Sequence, residues 1–171
     1  MCRYAPTLSS ARAFSEAERL DVWIHEYLCS DGRNPQFSAG LRLMECCYIG
    51  PIAMPTDLFE RCTGPEESMT FRTDRDIFAR HVAELERHIL GDPDMAPLIV
   101  SYTAGGLVTN DGNHRLQAYK NLGIASVPVI IWLPEPEYRI YGRIRHIRCG
   151  CADDPQINAA VHNIWSILPK L

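Results

Sequence analysis

The stretch Thr109-Asn110-Asp111-Gly112-Asn113-His114-Arg115-Leu116 sets a carboxylate, a glycine, an amide, an imidazole and a guanidinium side by side. An apolar run precedes it and a run with helical spacing follows. Gly112 therefore falls where a strand ends, and His114 and Arg115 fall where a helix begins. Such a junction suits an anion, phosphate above all. The first amides of a helix point outward without partners, the helix dipole favours negative charge there, and an arginine grips oxygens in pairs.

Each side chain has a chemical reading and a structural one. Gly112 allows close backbone approach, so the amides of Asn113 and His114 would cradle phosphate oxygens; the alternative is an ordinary turn into a helix. Arg115 would neutralise charge on a transferred phosphoryl group, or pair with a carboxylate and lock the fold. His114 would donate to a phosphate oxygen, or cap the helix. Asp111 would repel a bare phosphate, so at a nucleotide site it should hold Mg²⁺ or the acceptor's hydroxyl or amine. Otherwise it is a helix cap or the start of an Asx turn. Lys120, further along the same helix, reads as a solvated lysine.

The rest of the composition bounds the partners. With 171 residues the chain is long enough for one domain with a real core, and 46% hydrophobic against 22% charged residues is ordinary for a soluble globular protein. A net charge of −4 gives no global pull toward nucleic acid. Only a local patch would do so, and Tyr138 to Arg148, with Arg139, Arg143, Arg145, His146 and Arg148, is the candidate; its bland reading is a solvated amphipathic element. No apolar run approaches the roughly 18–20 residues of a membrane span, and the first residues lack the apolar stretch of a secretory signal. A cytoplasmic protein is expected. The 7 cysteines, Cys149 and Cys151 included, should then be mostly free thiols, since their spacing lacks the two-residue gap of familiar zinc sites.

Elements that must position the motif follow from periodicity. Ser15 with Glu18 matches a capping box ahead of a helix through Leu20, Trp23, Ile24, Tyr27 and Leu28. Residues 33–40 read as a loop, and Cys46 to Ala53 as a strand with an edge or bulge at Gly50-Pro51. Residues 62–70 make a second loop. Asp74 should cap an amphipathic helix whose face is Phe78, Val82, Leu85 and Ile89. Strands follow at residues 97–102 and 107–109 around a turn at Ala104-Gly105-Gly106. Then come a helix at 114–122 closed by Gly123, and a strand from Val127 to Trp132. Beyond Pro134, Asp154-Pro155 leads into a last amphipathic helix. The sum is α+β: a small mixed sheet with packed helices and helical extensions at both ends, divided as residues 1–45, 46–133 and 134–171.

Pro97 to Val100, Asp111-Gly112-Asn113-His114-Arg115-Leu116 with Ala118, and Gly123 through Val127-Pro128-Val129 together resemble the ParB/sulfiredoxin-like fold. The resemblance covers roughly residues 46–133, most specifically 97–131, and implies a nucleotide-phosphate site at the motif. Asn113 stands where sulfiredoxin carries its cysteine, which removes that chemistry. The spelling Asp-Gly-Asn-His-Arg is similar to the Asp-Gly-His-His-Arg of free serine kinases, differing at Asn113. The resemblance therefore implies an ATP- or ADP-dependent phosphotransferase acting on a small hydroxyl substrate. Gly112, Asn113, His114 and Arg115 would bind the cofactor, Asp111 would hold Mg²⁺, and Asp111, His114 and Arg115 would serve the chemistry. In that branch a glutamate just after the first strand acts as base; Glu60 and Asp57 are the matching candidates. A ParB-like nucleic-acid module or nuclease, and a scaffold with an inactive site, are the alternatives.

Overall fold

The computed structural model describes residues 3–44, 46–103 and 106–134. Among them are five helices, α1 (Leu8–Glu16), α2 (Leu20–Cys29), α3 (Pro35–Arg42), α4 (Arg75–Gly91) and α5 (Asn113–Asn121). The strands are β1 (Cys46–Pro55), β2 (Phe59–Arg61), β3 (Thr63–Gly64), β4 (Phe71–Arg72), β5 (Leu98–Thr103), β6 (Gly106–Asp111) and β7 (Ser126–Pro134). Five strands form one mixed sheet in the order β1-β7-β5-β6-β2. The pairs β1–β7 and β5–β6 are antiparallel, while β5–β7 and β2–β6 are parallel. The α+β class expected from the sequence is the class observed.

Alternation along β5 and β7 explains why both faces of the sheet are covered. Leu98, Val100, Val129, Ile131 and Leu133 point to one side, where they meet Leu116 and Tyr119 of α5. Ile99 and Ile130 point to the other, where they meet Phe14, Trp23, Ile24 and Leu28 of α1 and α2. Central strands buried on both faces need runs of apolar residues, which Leu98 to Val100 of β5 and Val127 to Leu133 of β7 supply. The helices of the segment at 1–45 thus share a core with the sheet. On the α5 side, Phe78 and Val82 of α4 pack against Ala118, with Leu85 and Ile89 at the margin, the face the periodicity marks out. Asp74 caps α4, accepting from the amides of Asp76 and Ile77 at 2.9 and 3.0 Å.

Three local expectations change. Ser15 does not cap a helix: it lies inside α1, and its hydroxyl donates to Gly50 O at 2.8 Å. Glu18 sits at φ 58 in the turn beyond α1, and α2 starts at Leu20 with no side-chain cap. A side-chain cap occurs one helix earlier: Thr7 caps α1, its Oγ1 accepting from Ser10 N at 3.1 Å. Residues 33–40, expected as a loop, hold most of α3; Asn34 accepts from Phe37 N at 3.3 Å and Pro35 takes the first turn. Pro before a helix is preorganised for it, and the Gly, Pro and Ser content masks that signal. The strand at 46–53 runs on to Pro55, at the sheet edge, and its register with β7 shifts between Ile49 and Ile52 as expected near Gly50-Pro51. The basic stretch, Cys149, Cys151 and the last helix lie outside the described residues.

Candidate functional site

β6 ends at Asp111 and α5 begins at Asn113, so one residue, Gly112, turns the chain. Its φ of 91 and ψ of 21 are left-handed, and no side chain caps the helix. A Cβ here would stand 2.6 Å from Leu98 Cδ2 and 2.9 Å from Arg115 Nη2, so conformation and space both require glycine. The consequence is a helix start whose first amides are uncapped. They open on a cleft of about 350 Å³ lined by Tyr27, Asp31, Met95, Gly112, His114 and Arg115 among others.

Arg115 is 6% exposed, and both terminal nitrogens of its guanidinium are engaged with the protein. Nη1 donates to Ala96 O, and Nη2 donates to Tyr27 Oη at 2.8 Å and to Asp111 Oδ2 at 3.1 Å. Tyr27 in turn donates to the same Asp111 oxygen at 3.1 Å, closing a triangle. Tyr27 is stacked on Trp23 at 5.1 Å, and burial pushes its hydroxyl up to about 12. Burial also pushes the Asp111 carboxyl up, against the opposing pull of Arg115, Tyr27 and Asn34. Arg115 stays charged: burial works against it, but Tyr27, Asp111 and Tyr119 hold it up. Of the two readings of Arg115 open from the sequence, the geometry shows the carboxylate pair.

That arrangement bears on Mg²⁺. Asp111, the expected ligand, has a guanidinium and a hydroxyl on one carboxylate oxygen. This donor set suits an arginine and does not suit a small dication that keeps its waters. Among the described residues no group of three or more His, Cys, Asp or Glu converges on a point.

Asn113 is buried too, and its side chain turns away from the cleft. Oδ1 accepts from the amides of Cys62 at 2.9 Å and Thr63 at 3.1 Å, and Nδ2 donates to Cys62 Sγ at 3.6 Å. Its own backbone amide remains part of the helix start. Lys120 is not free either: Nζ donates to Phe59 O at 2.8 Å and ties β2 to α5. Glu60 is exposed on edge strand β2 opposite Val108, and Asp57 is exposed in the turn before it. Neither lines the cleft. The motif residues are thus brought together, and the candidate bases stand apart from them.

His114 does face the cleft, half-buried. Its ring lies 4.5 Å from Phe78 and 5.4 Å from His81, edge-on to the latter at 70°. Burial first, then the charges of His81 and Arg61, lower its pKa below the usual histidine range. His25, half-buried near Arg42, is lowered in the same way. In the unfolded chain both rings are ordinary imidazoles that take up protons below about pH 6.5, which the folded sites resist. Stability is therefore full above that pH and falls as pH drops toward the lowered folded values. The urea midpoint should decrease between about pH 7.5 and about pH 5.5, and His114→Gln should flatten that decrease. A midpoint independent of pH over this range would refute it.

Sequence reasoning missed Tyr27 and Asp31 as cleft residues. Tyr27 was visible only as one apolar position of a helix, and Asp31 only as part of a stop signal after it.

The fold is α+β, and the site is a glycine-started helix opening on a small cleft. No family model matches the chain, and no curated protein sequence matches it. Among solved structures it is similar to the C-terminally truncated chromosome-partitioning protein ParB from Caulobacter crescentus, complexed with CTP-γ-S. That likeness has 20% identity, a TM-score of 0.35, and covers 51% of this chain and 43% of that one. A Pnob8-like ParB-N domain is similar at 18% identity and a TM-score of 0.36, over 72% of this chain and 45% of the other. The chain therefore spans less than half the length of each of these two structures. Among the described residues no helix is long and apolar enough to cross a membrane.

Proposed function

We propose that the chain binds a nucleotide, with its phosphates at the start of α5. One observation carries the reading: the left-handed Gly112 leaves the first amides of α5 uncapped beside a cleft that His114 also lines. Amides and dipole supply attraction, and a neutral imidazole supplies one N–H to a phosphate oxygen. The volume of about 350 Å³ is at the small end for ligand sites and suits a mononucleotide. Arg115 acts here by holding Asp111, Tyr27 and Ala96 in place, so that the amides and His114 carry the contact.

The finer reading is ATP or ADP as the nucleotide and phosphoryl transfer to a small hydroxyl substrate. It rests on the Asp-Gly-Asn-His-Arg spelling. Transfer needs a base near the acceptor, and with Glu60 and Asp57 off the cleft the acceptor would have to bring one of them into play by its own binding or use another group.

Calorimetric titration with ADP, ATP and CTP tests the binding itself. Saturable binding is expected, and His114→Ala should weaken it about tenfold, the worth of one hydrogen bond to a charged group, while leaving the protein folded. An unchanged affinity in that variant would remove His114 from the phosphate site. Absence of any nucleotide or pyrophosphate binding by the intact chain would remove the site altogether.

A further inference from the structure

The cleft contains two carboxylates, and only one is neutralised. Asp111 is paired with Arg115 at 3.1 Å. Asp31 lines the same cleft from the turn after α2, is exposed, and has no cation within ion-pair distance among the described residues. Its Oδ2 accepts from Tyr4 Oη at 2.7 Å and lies 3.1 Å from Ser30 Oγ, whose one hydrogen has a nearer acceptor in Glu26 O at 2.7 Å, while Oδ1 has no hydrogen-bond partner among the described residues. One oxygen is thus held by the Tyr4 hydroxyl and the other is left for a ligand.

Tyr4 also fixes the wall around this oxygen. It contacts Ser30 Oγ at 3.1 Å, and the segment that carries it is held down by Trp23 Nε1 donating to Ala5 O at 3.0 Å. Ser9 adds two bonds to Asp94 Oδ1, from its amide at 2.8 Å and its hydroxyl at 2.9 Å, and Pro6 between these anchors lines the cleft. A carboxylate braced by a hydroxyl on a pinned segment is preorganised to accept and has nothing to donate.

Charge decides which part of a ligand it meets. An unneutralised carboxylate repels phosphate, so it does not share the phosphate end with the α5 amides. It needs a partner with hydrogen-bond donors. In a nucleotide, the part next to the phosphates that carries paired donors is the ribose, and a carboxylate accepting from ribose hydroxyls is a widespread solution to its recognition.

We infer that Asp31 is the ribose-binding residue of this cleft: its free oxygen accepts from the 2′,3′-diol of a nucleotide whose phosphates lie on the start of α5. The inference rests on the phosphate site proposed above. It makes the site selective for ribonucleotides over deoxy analogues and over inorganic anions, and the carboxylate's charge discourages ligands with a second anionic end.

The test is a set of calorimetric titrations of the full chain with ADP, 2′,3′-dideoxy-ADP and pyrophosphate, repeated with Asp31→Ala. The intact chain should bind ADP about tenfold more tightly than the dideoxy analogue, a difference that requires no variant to observe. Asp31→Ala should bring ADP down to the dideoxy level, leave dideoxy-ADP where it was, and leave pyrophosphate binding unchanged or tighter. Equal binding of ADP and dideoxy-ADP by the intact chain overturns the ribose assignment while leaving the phosphate site standing. So does an equal loss of ADP and pyrophosphate binding in Asp31→Ala. If pyrophosphate and both nucleotides all fail to bind the intact chain, the phosphate site falls and the ribose assignment falls with it.

Discussion

Arg115→Ala should cost about 3–5 kcal/mol of folding stability, the range for removing one partner of a buried ion pair. The loss is more than a broken contact. The Asp111 carboxylate, 8% exposed, would be left buried beside Tyr27 with its cation gone, and Ala96 O would lose its donor. Those three acceptors belong to different parts of the fold: Tyr27 to α2, Ala96 to the approach to β5, and Asp111 to the end of β6. The guanidinium therefore fastens the helical layer on one face of the sheet to the strand that carries the motif. A urea titration of Arg115→Ala beside the double variant Arg115→Met with Asp111→Leu separates the terms. The single change should be severe, and the double one should recover much of the loss, because no uncompensated charge remains. A cost below about 1 kcal/mol with nucleotide binding abolished would mean that Arg115 is a ligand contact after all. By the same reasoning, lost binding in Arg115→Ala says nothing about phosphate contact until the folded fraction is known, which is why His114 is the better probe.

The parts of this fold that sequence patterning reveals are those in which local pattern and tertiary environment agree. Leu98 to Val100 of β5 and Val127 to Leu133 of β7 are apolar runs because both strands are buried on both faces, and α4 carries its apolar stripe at Phe78, Val82, Leu85 and Ile89 because one face meets α5. Gly112 is legible because a left-handed turn between strand and helix leaves glycine little competition. α1 and α3 were hidden for a different reason. Their starts depend on Thr7 and Asn34 caps that a short, polar sequence does not advertise, and their stability comes from docking rather than from helix propensity. At the site, the spacing of Asp111 and Arg115 allowed their pairing but could not select it. What selects it is Tyr27, 88 residues away along the chain, whose hydroxyl touches both. No local pattern encodes such a contact. Asp31 reaches the cleft by the same route, through the folding of α2 and its turn against the end of β6.

Asn113→Ala should be the second costly change in the motif, at about 2–4 kcal/mol, since it strips the acceptor from two backbone amides at once. Cys62 N and Thr63 N, just past edge strand β2, both donate to Asn113 Oδ1, and Asn113 is 6% exposed, so water cannot replace it without rearrangement. Asn113→Asp keeps an acceptor for both amides and places a carboxylate at a helix start, where the dipole favours it, but gives up the bond to Cys62 Sγ and adds a buried charge. It should fall between wild type and alanine. Hydrogen exchange at Cys62 and Thr63 is the direct measurement, with the urea midpoint beside it. Protection at both amides should drop in Asn113→Ala and survive in Asn113→Asp; amides that stay protected in the alanine variant would show that something else holds them. Nucleotide affinity of the folded Asn113→Ala protein adds a further discrimination. If the side chain serves only the turn after β2, affinity should change little, because the Asn113 contribution to the phosphate site is its backbone amide and alanine keeps that. The motif then divides by role: the Asn113 side chain and the Arg115 guanidinium are tied to the protein around them, while the amides after Gly112 and the His114 ring are what the site offers a ligand.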